Sequence, residues 1–183
     1  MHGVPPDLRN VLRRWPRLAM SHLENLLIRL CDGGFGAIEE VRRRLGRPHV
    51  KTISTSGVQS QMTGDTSKPV LVDVRSRAEH SVSRIPGAIT QAEYEADADS
   101  LADRPAIVYC TVGGRSYLYA RKLVAAGIDA ANYRDGILGW CRAELPLESP
   151  DKRSTAAVHP YWRIFRVPDR YEVKTDHFNE QGQ

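Results

Sequence analysis

Short runs of consecutive apolar residues, each followed by a stretch of helical spacing, fill the middle of this chain. Val70-Leu71-Val72-Asp73-Val74 reads as a buried strand ending in charge, and Ala106-Ile107-Val108-Tyr109 as a second buried strand. His49 to Ser54, the very short Ala88-Ile89, and Ala130 to Tyr133 complete five predicted strands. Arg77–Val82 and Ser116–Ala126 have helical spacing, the second with Leu118, Leu123 and Val124 inward and Gly127 as its stop. Apolar strands alternating with helices predict an α/β fold, a five-stranded and mainly parallel sheet flanked by helices over residues 49–148. In such sheets ligands bind beyond the carboxyl ends of the strands. Cys110 stands at one of these ends.

The flanks follow other patterns. Residues 1–48 read as a helical N-terminal extension. Leu8, Val11, Leu12 and Trp15 share one helical face, and Ser21 with Glu24 forms a capping-box signature before Leu23, Leu26, Leu27 and Leu30. Gly33-Gly34 is expected to stop that helix, and Ile38, Val41 and Leu45 mark a third, ended by Gly46 and Pro48. These apolar faces must pack on the main domain, a second copy or a partner. Residues 149–183 read as a partly ordered C-terminal arm, with a polar linker and then an aromatic-rich stretch in which Trp162 and Ile164 alternate with polar neighbours.

Composition adds limits. The chain has 183 residues, 41% hydrophobic and 26% charged, with no apolar run that approaches a membrane span. The net charge of +4 is concentrated in residues 1–52, where ten Lys/Arg face five Asp/Glu. No basic stripe with interleaved aromatics points to nucleic acid, so neither nucleic acid nor membrane is expected as a partner. Three cysteines, Cys31, Cys110 and Cys141, make no disulfide framework, and no Cys-x-x-Cys or His-x-x-x-His pair suggests zinc. Arg13-Arg14 is followed by His22, Glu24 and Arg29 in place of a clean apolar core, so no cleaved export signal is expected. A reducing, cytoplasmic setting fits a lone available thiol.

Residues 109–116, YCTVGGRS, concentrate the candidate chemistry. A thiol attacks only as thiolate, and an ordinary one is mostly protonated at neutral pH. The helix opening near Gly114 aims unpaired amides and partial positive charge back at Cys110. Gly113 and Gly114 can take positive φ and curl successive amides into an anion-binding nest. Arg115 adds a fixed charge, and Ser116, near the cap, can hold the loop's shape. These features alone leave two readings of Cys110 open, a reactive thiol and a buried apolar residue beside an ordinary turn. Arg115 likewise reads as an anion-steering charge or as a structural salt bridge.

Together with its surroundings the loop resembles that of the rhodanese family of single-domain sulfurtransferases. The family loop is Cys-x-x-Gly-x-Arg-Ser, and Cys110, Gly113, Arg115 and Ser116 match its four defined positions. LVDVRSRAEH (71–80), RIPGAI (84–89) and YRDGILGW (133–140) resemble the supporting blocks in family order. The resemblance covers 49–148 and neither flank. Ser83-Arg84 stand where the family usually has Gly-His, His80 where it has an aromatic, and Asp135 where it has the first of two glycines. Those departures bear on rim shape and substrate preference.

The resemblance implies that Cys110 is the catalytic nucleophile and that Thr111, Val112, Gly113, Gly114, Arg115 and Ser116 form the substrate-binding ring. A sulfane sulfur would pass from a donor such as thiosulfate, through a persulfide on Cys110, to cyanide or a thiol, with no metal or organic cofactor. Cell-cycle dual-specificity phosphatases resemble the same fold but carry Cys-x5-Arg. Here four residues separate Cys110 from Arg115, and the shorter ring suits one added sulfur. Rhodanese domains also serve as interaction or regulatory modules, which keeps a protein partner, or a homodimer through 1–48, in view. Asp73 and Arg75 are expected to support neighbouring turns, Glu79 to partner Arg75 at helical spacing, and Trp140 and Cys141 to be core residues.

Overall fold

The computed structural model describes residues 34–64, 68–161 and 165–175. The two helices expected before residue 33, Cys31, Trp162 and Ile164 lie outside the described residues. After a helix over residues 34–44 (α1) come β1 (Lys51–Ile53), α2 (Thr55–Thr63), β2 (Val70–Asp73), α3 (Arg77–Val82), β3 (Ile89–Thr90), α4 (Gln91–Ala96) and α5 (Ala98–Leu101). Then follow β4 (Ala106–Tyr109), α6 (Gly114–Ala125), β5 (Ala130–Tyr133) and α7 (Gly136–Arg142). Short pairs β6 (Leu147–Glu148) with β7 (Ser154–Thr155), and β8 (Ala157–Val158) with β9 (Glu172–Val173), finish the described chain.

The five-stranded sheet has the order β1-β5-β4-β2-β3, with every pair parallel. Alternation along β2 and β4 explains why Val70–Val72 and Ala106–Tyr109 are consecutive apolar residues, with only the last residue of β2, Asp73, charged. Leu71, Ile107 and Tyr109 enter one core with Val58 of α2 and Ile137 and Trp140 of α7. Val70, Val72, Ala106 and Val108 enter the other, with Tyr94 of α4 and Tyr117, Ala120 and Leu123 of α6. Successive side chains point to opposite faces, so a strand covered on both must be apolar at each position.

Ile53, Tyr133, Tyr109, Asp73 and Thr90 are register neighbours across the sheet. All five strands therefore end in one row, and the segments that follow them share one rim. The loop after Tyr109 is at its centre.

Several expectations are corrected. Gly34 lies inside α1. Ile38, Val41 and Leu45 are exposed, while Phe35 and Glu39 dock the helix. The Phe35 ring stacks on Tyr117 at 4.1 Å, and Glu39 accepts from the Tyr117 hydroxyl at 2.5 Å and the Val50 amide at 2.6 Å. Leu118, expected inward, is 53% exposed because Tyr117, Ala120 and Leu123 carry the buried stripe of α6. That helix starts at Gly114, where the loop places its opening, two residues before its apolar spacing begins. Among the described residues, no helix is long and apolar enough to cross a membrane.

Candidate active site

Cys110 directly follows the last residue of β4 and is 1% exposed. The chain turns through Thr111, Val112 and Gly113 and enters α6, which brings the Ser116 hydroxyl back to 3.5 Å from the Cys110 sulfur. Two backbone bonds set the orientation of this turn. Ile137 N–H donates to the Cys110 carbonyl at 2.9 Å, and Leu138 N–H to the Thr111 carbonyl at 3.3 Å. In a planar trans peptide the N–H points opposite to its carbonyl. Anchoring both carbonyls on α7 therefore turns the Thr111 and Val112 amides away from α7. Among the described residues, no protein acceptor takes the N–H groups of residues 111–116.

Glycine is required at two places here. Gly113 has φ +86°, and a Cβ on it would lie 2.2 Å from the Arg134 carbonyl oxygen. Gly136 has φ +57°, and its Cβ would lie 2.5 Å from the Cys110 and Thr111 oxygens. The loop and the β5–α7 turn meet backbone to backbone. Gly114, expected to share the positive φ, is instead the first residue of α6 with open space around it.

Glu79 holds the loop from the α3 side. Its buried carboxylate accepts from Arg115 Nη1 at 2.8 Å and Nη2 at 2.9 Å, from Thr111 Oγ1 at 2.7 Å, and from the Ser76 hydroxyl at 2.8 Å. Burial by itself would raise this carboxyl, but Arg115 and Thr111 outweigh it and pull it down to about 2. Burial likewise opposes the Arg115 charge, and Glu79 more than restores it. Glu79 thus partners Arg115 and not, as its helical spacing suggests, Arg75. The Arg115 guanidinium also lies 4.6 Å from the Tyr161 ring, which ties the C-terminal segment to the loop.

Asp73 and Arg75 form a separate, fully buried pair joined at 2.7 Å. Arg75 Nη2 also donates to the Ser83 carbonyl, and Asp73 accepts from the Tyr109 hydroxyl at 2.8 Å. Tyr109 in turn accepts from Ile85 N–H at 3.2 Å. Burial pushes the Tyr109 phenol far up, so it stays a donor to Asp73. The pair fixes the end of β4 one residue before Cys110 and makes no hydrogen bond with residues 110–116. Cys141 sits in the core with Leu71, Ile107 and Trp140, and burial pushes its thiol up to about 12.

Residues 58–143 match the family described as the rhodanese-like domain. A sulfurtransferase of Allochromatium vinosum is 33% identical over 96 residues, which span 50% of this chain and 90% of that protein. The chain belongs to the rhodanese-like family. This rhodanese-like chain is also 32% identical over 118 residues to a tRNA sulfurtransferase of Desulfurococcus amylolyticus, covering 64% of this chain but only 23% of the relative. Among solved structures, the thiosulfate sulfurtransferase of Pseudomonas aeruginosa superposes with a TM-score of 0.51 at 28% identity. That match covers 65% of this chain and 23% of the other.

One site residue of this rhodanese-like domain is absent from the sequence analysis, and another has a different partner there. Asn132 accepts from the Ser116 hydroxyl at 2.7 Å, and no local pattern marks a polar residue within β5 as part of the site. Glu79 was noticed for the wrong partner. The Ser76…Glu79 capping box that positions it was legible, because Ser and Glu three apart at a helix start carry that signal. Beside the loop, Val74, Gln91, Arg115, Leu118 and Lys122 line a cleft of about 210 Å3.

Proposed function

We propose that this protein is a sulfurtransferase in which Cys110 carries a sulfane sulfur as a persulfide. The observation that carries this reading is the run of six amides, residues 111–116, that take no protein acceptor among the described residues and lead from the thiol into a 12-residue helix, whose Ser116 hydroxyl returns to 3.5 Å from the Cys110 sulfur. Helix-terminal amides and the macrodipole favour negative charge there. An anionic sulfur, before or after loading, is the species they stabilise. Because Glu79 already matches the Arg115 charge, the cradle's attraction for anions comes mainly from the backbone.

The cycle is a double displacement. The Cys110 thiolate attacks the outer sulfur of a donor such as thiosulfate, and the S–S bond of the donor breaks with its electron pair leaving on sulfite. The Cys110 persulfide anion remains in the ring of amides. A thiophilic acceptor, cyanide or a thiol, then attacks the outer sulfur, and the Cys110 thiolate departs as leaving group. Charge balances at each step, so the cycle requires no metal and no organic cofactor. The likeness to sulfurtransferases of two organisms supports the reaction class. The physiological acceptor is then cyanide, a small thiol or a protein-borne one, and a reducing cytoplasmic setting would keep the Cys110 thiol available.

Intact-mass measurement after incubation with thiosulfate tests the reading. The wild-type chain is expected to gain one sulfur atom, and Cys110→Ala none. No gain with thiosulfate or with organic persulfide donors would remove it.

A further inference from the structure

Ser116 has one hydroxyl proton and two acceptors within reach, the Cys110 sulfur at 3.5 Å and Asn132 Oδ1 at 2.7 Å. All three residues are buried. Asn132 stands inside a parallel sheet, with Thr52 and Val108 as its register neighbours. Asparagine is disfavoured in strands, and an amide taken out of water costs stability unless it is bonded. We infer that Asn132 is a positioning residue for the sulfur chemistry, whose amide directs the Ser116 proton and turns over when the sulfur becomes charged. The inference rests on Cys110 being the reacting sulfur.

A carboxamide presents an acceptor at one end and two donors at the other, and a half-turn about its terminal bond exchanges them in nearly the same volume. Beside a neutral thiol, Ser116 gives its proton to Asn132 Oδ1, and its oxygen can accept the S–H of Cys110. An anionic sulfur needs a donor instead. Ser116 then turns its proton to the sulfur, and Asn132 offers Nδ2–H to the Ser116 oxygen. The chain of hydrogen bonds runs from sulfur to amide in one state and from amide to sulfur in the other, and the Ser116 oxygen keeps a partner in both. Only orientations change, and no proton or electron is transferred.

The other titratable groups around this chain come from several elements. They are Arg115 of α6 with Glu79 of α3, Tyr161 of the C-terminal segment over Arg115, Tyr117 of α6 with Glu39 of α1, and Asp135 at the start of α7. None of them is altered in the variants that follow.

The test is the rate of Cys110 alkylation by iodoacetamide against pH on the full chain, mapped by peptide mass. Asn132→Leu is expected to move the curve up by about half to one pH unit, a roughly three- to tenfold slower reaction below the midpoint. Ser116→Ala should move it at least as far, and the double variant no further than Ser116→Ala alone. A fixed acceptor at Asn132 would compete with the sulfur for the Ser116 proton, so a downward shift in Asn132→Leu overturns the inference. A lower melting temperature with an unmoved curve, or additive shifts in the double variant, overturns it as well. Should Asn132→Leu fail to fold, the wild-type Asn132 side-chain amide resonances carry the test. They are expected to move in step with the alkylation curve, and resonances that stay put refute the turnover. Alkylation requires no sulfur transfer, so a chain that shows these shifts yet never takes up sulfur loses the functional reading and keeps the relay.

Discussion

Cys110 and Cys141 are almost equally shut away from solvent, at 1% and 0% exposure, yet their surroundings differ in kind. Around Cys141 are aliphatic and aromatic side chains, and its backbone is inside α7 with its polar groups used by the helix. Around Cys110 the side chains matter less than the backbone, whose carbonyls are tied to α7 while the amides of the next residues are left without acceptors. Burial in the first setting raises a thiol, because an apolar environment penalises charge. On the proposed function, fixed dipoles in the second would supply what water would have supplied. Exposure therefore does not distinguish the two cysteines, and the direction of nearby peptide groups does.

The largest expected effect is on this contrast itself. With its thiol pushed up to about 12, native Cys141 should alkylate on the order of a thousandfold more slowly than an ordinary thiol at neutral pH. Its rate should climb about tenfold per pH unit toward that value. Equal labelling of Cys110 and Cys141 in the native chain at pH 7 would break the comparison.

Next comes the clamp on the polar side. Glu79→Gln leaves the partly buried Arg115 charge without its counter-ion and should destabilise the fold by about 3 kcal/mol, measured by urea unfolding. Cys141 labelling should stay as slow as in the native wild type. The pH sign is fixed as well. A carboxyl near 4.5 when unfolded and about 2 when folded contributes stability that is full above 4.5 and is lost as pH falls toward 2. The wild type should lose stability across that window, and Glu79→Gln should lose correspondingly less.

The smallest effect sharpens the contrast within the loop. Gly113→Ala forces a methyl into the Arg134 carbonyl at a left-handed residue and should cost about 2 kcal/mol or more. Gly114→Ala, one residue on, should fall within about 1 kcal/mol of wild type, on the stabilising side. Two equal losses in thermal unfolding would mean that Gly113 is not the residue setting the turn.

Much of this was legible in the chain because the relevant signals are local. The consecutive apolar residues Val70–Val72 of β2 and Ala106–Tyr109 of β4 mark a sheet covered on both faces, and α3 keeps its expected limits of Arg77 and Val82. The Cys110 loop is visible because glycines and a helix start lie within seven residues. What was missed depends on distance along the chain. Arg115 meets Glu79 across 36 residues, and Ser116 meets Asn132 across 16, so spacing within one helix pointed Glu79 to the wrong arginine. α2 buries only Val58, which leaves no stripe to read. Leu118 was misplaced because tyrosines occupy much of the buried face of α6, and a count of aliphatic residues alone selects the wrong side. The Thr90…Glu93 capping box of α4 is a local signal of the same kind, but no helix was read from it.

Gly113 and Gly136 lie back to back, each leaving the other segment's backbone no room for even a methyl group. The β5–α7 turn is thus a mould, and the cysteine loop is cast against it. An added residue after Cys110 must either displace the Arg134 carbonyl or lift the Ile137 amide from the Cys110 oxygen. Enlarging the ring to admit a bulkier oxyanion therefore requires matched edits in two segments, with the intermediate single edit damaging the fold. The size of the ring is thus set jointly by the cysteine loop and the β5–α7 turn.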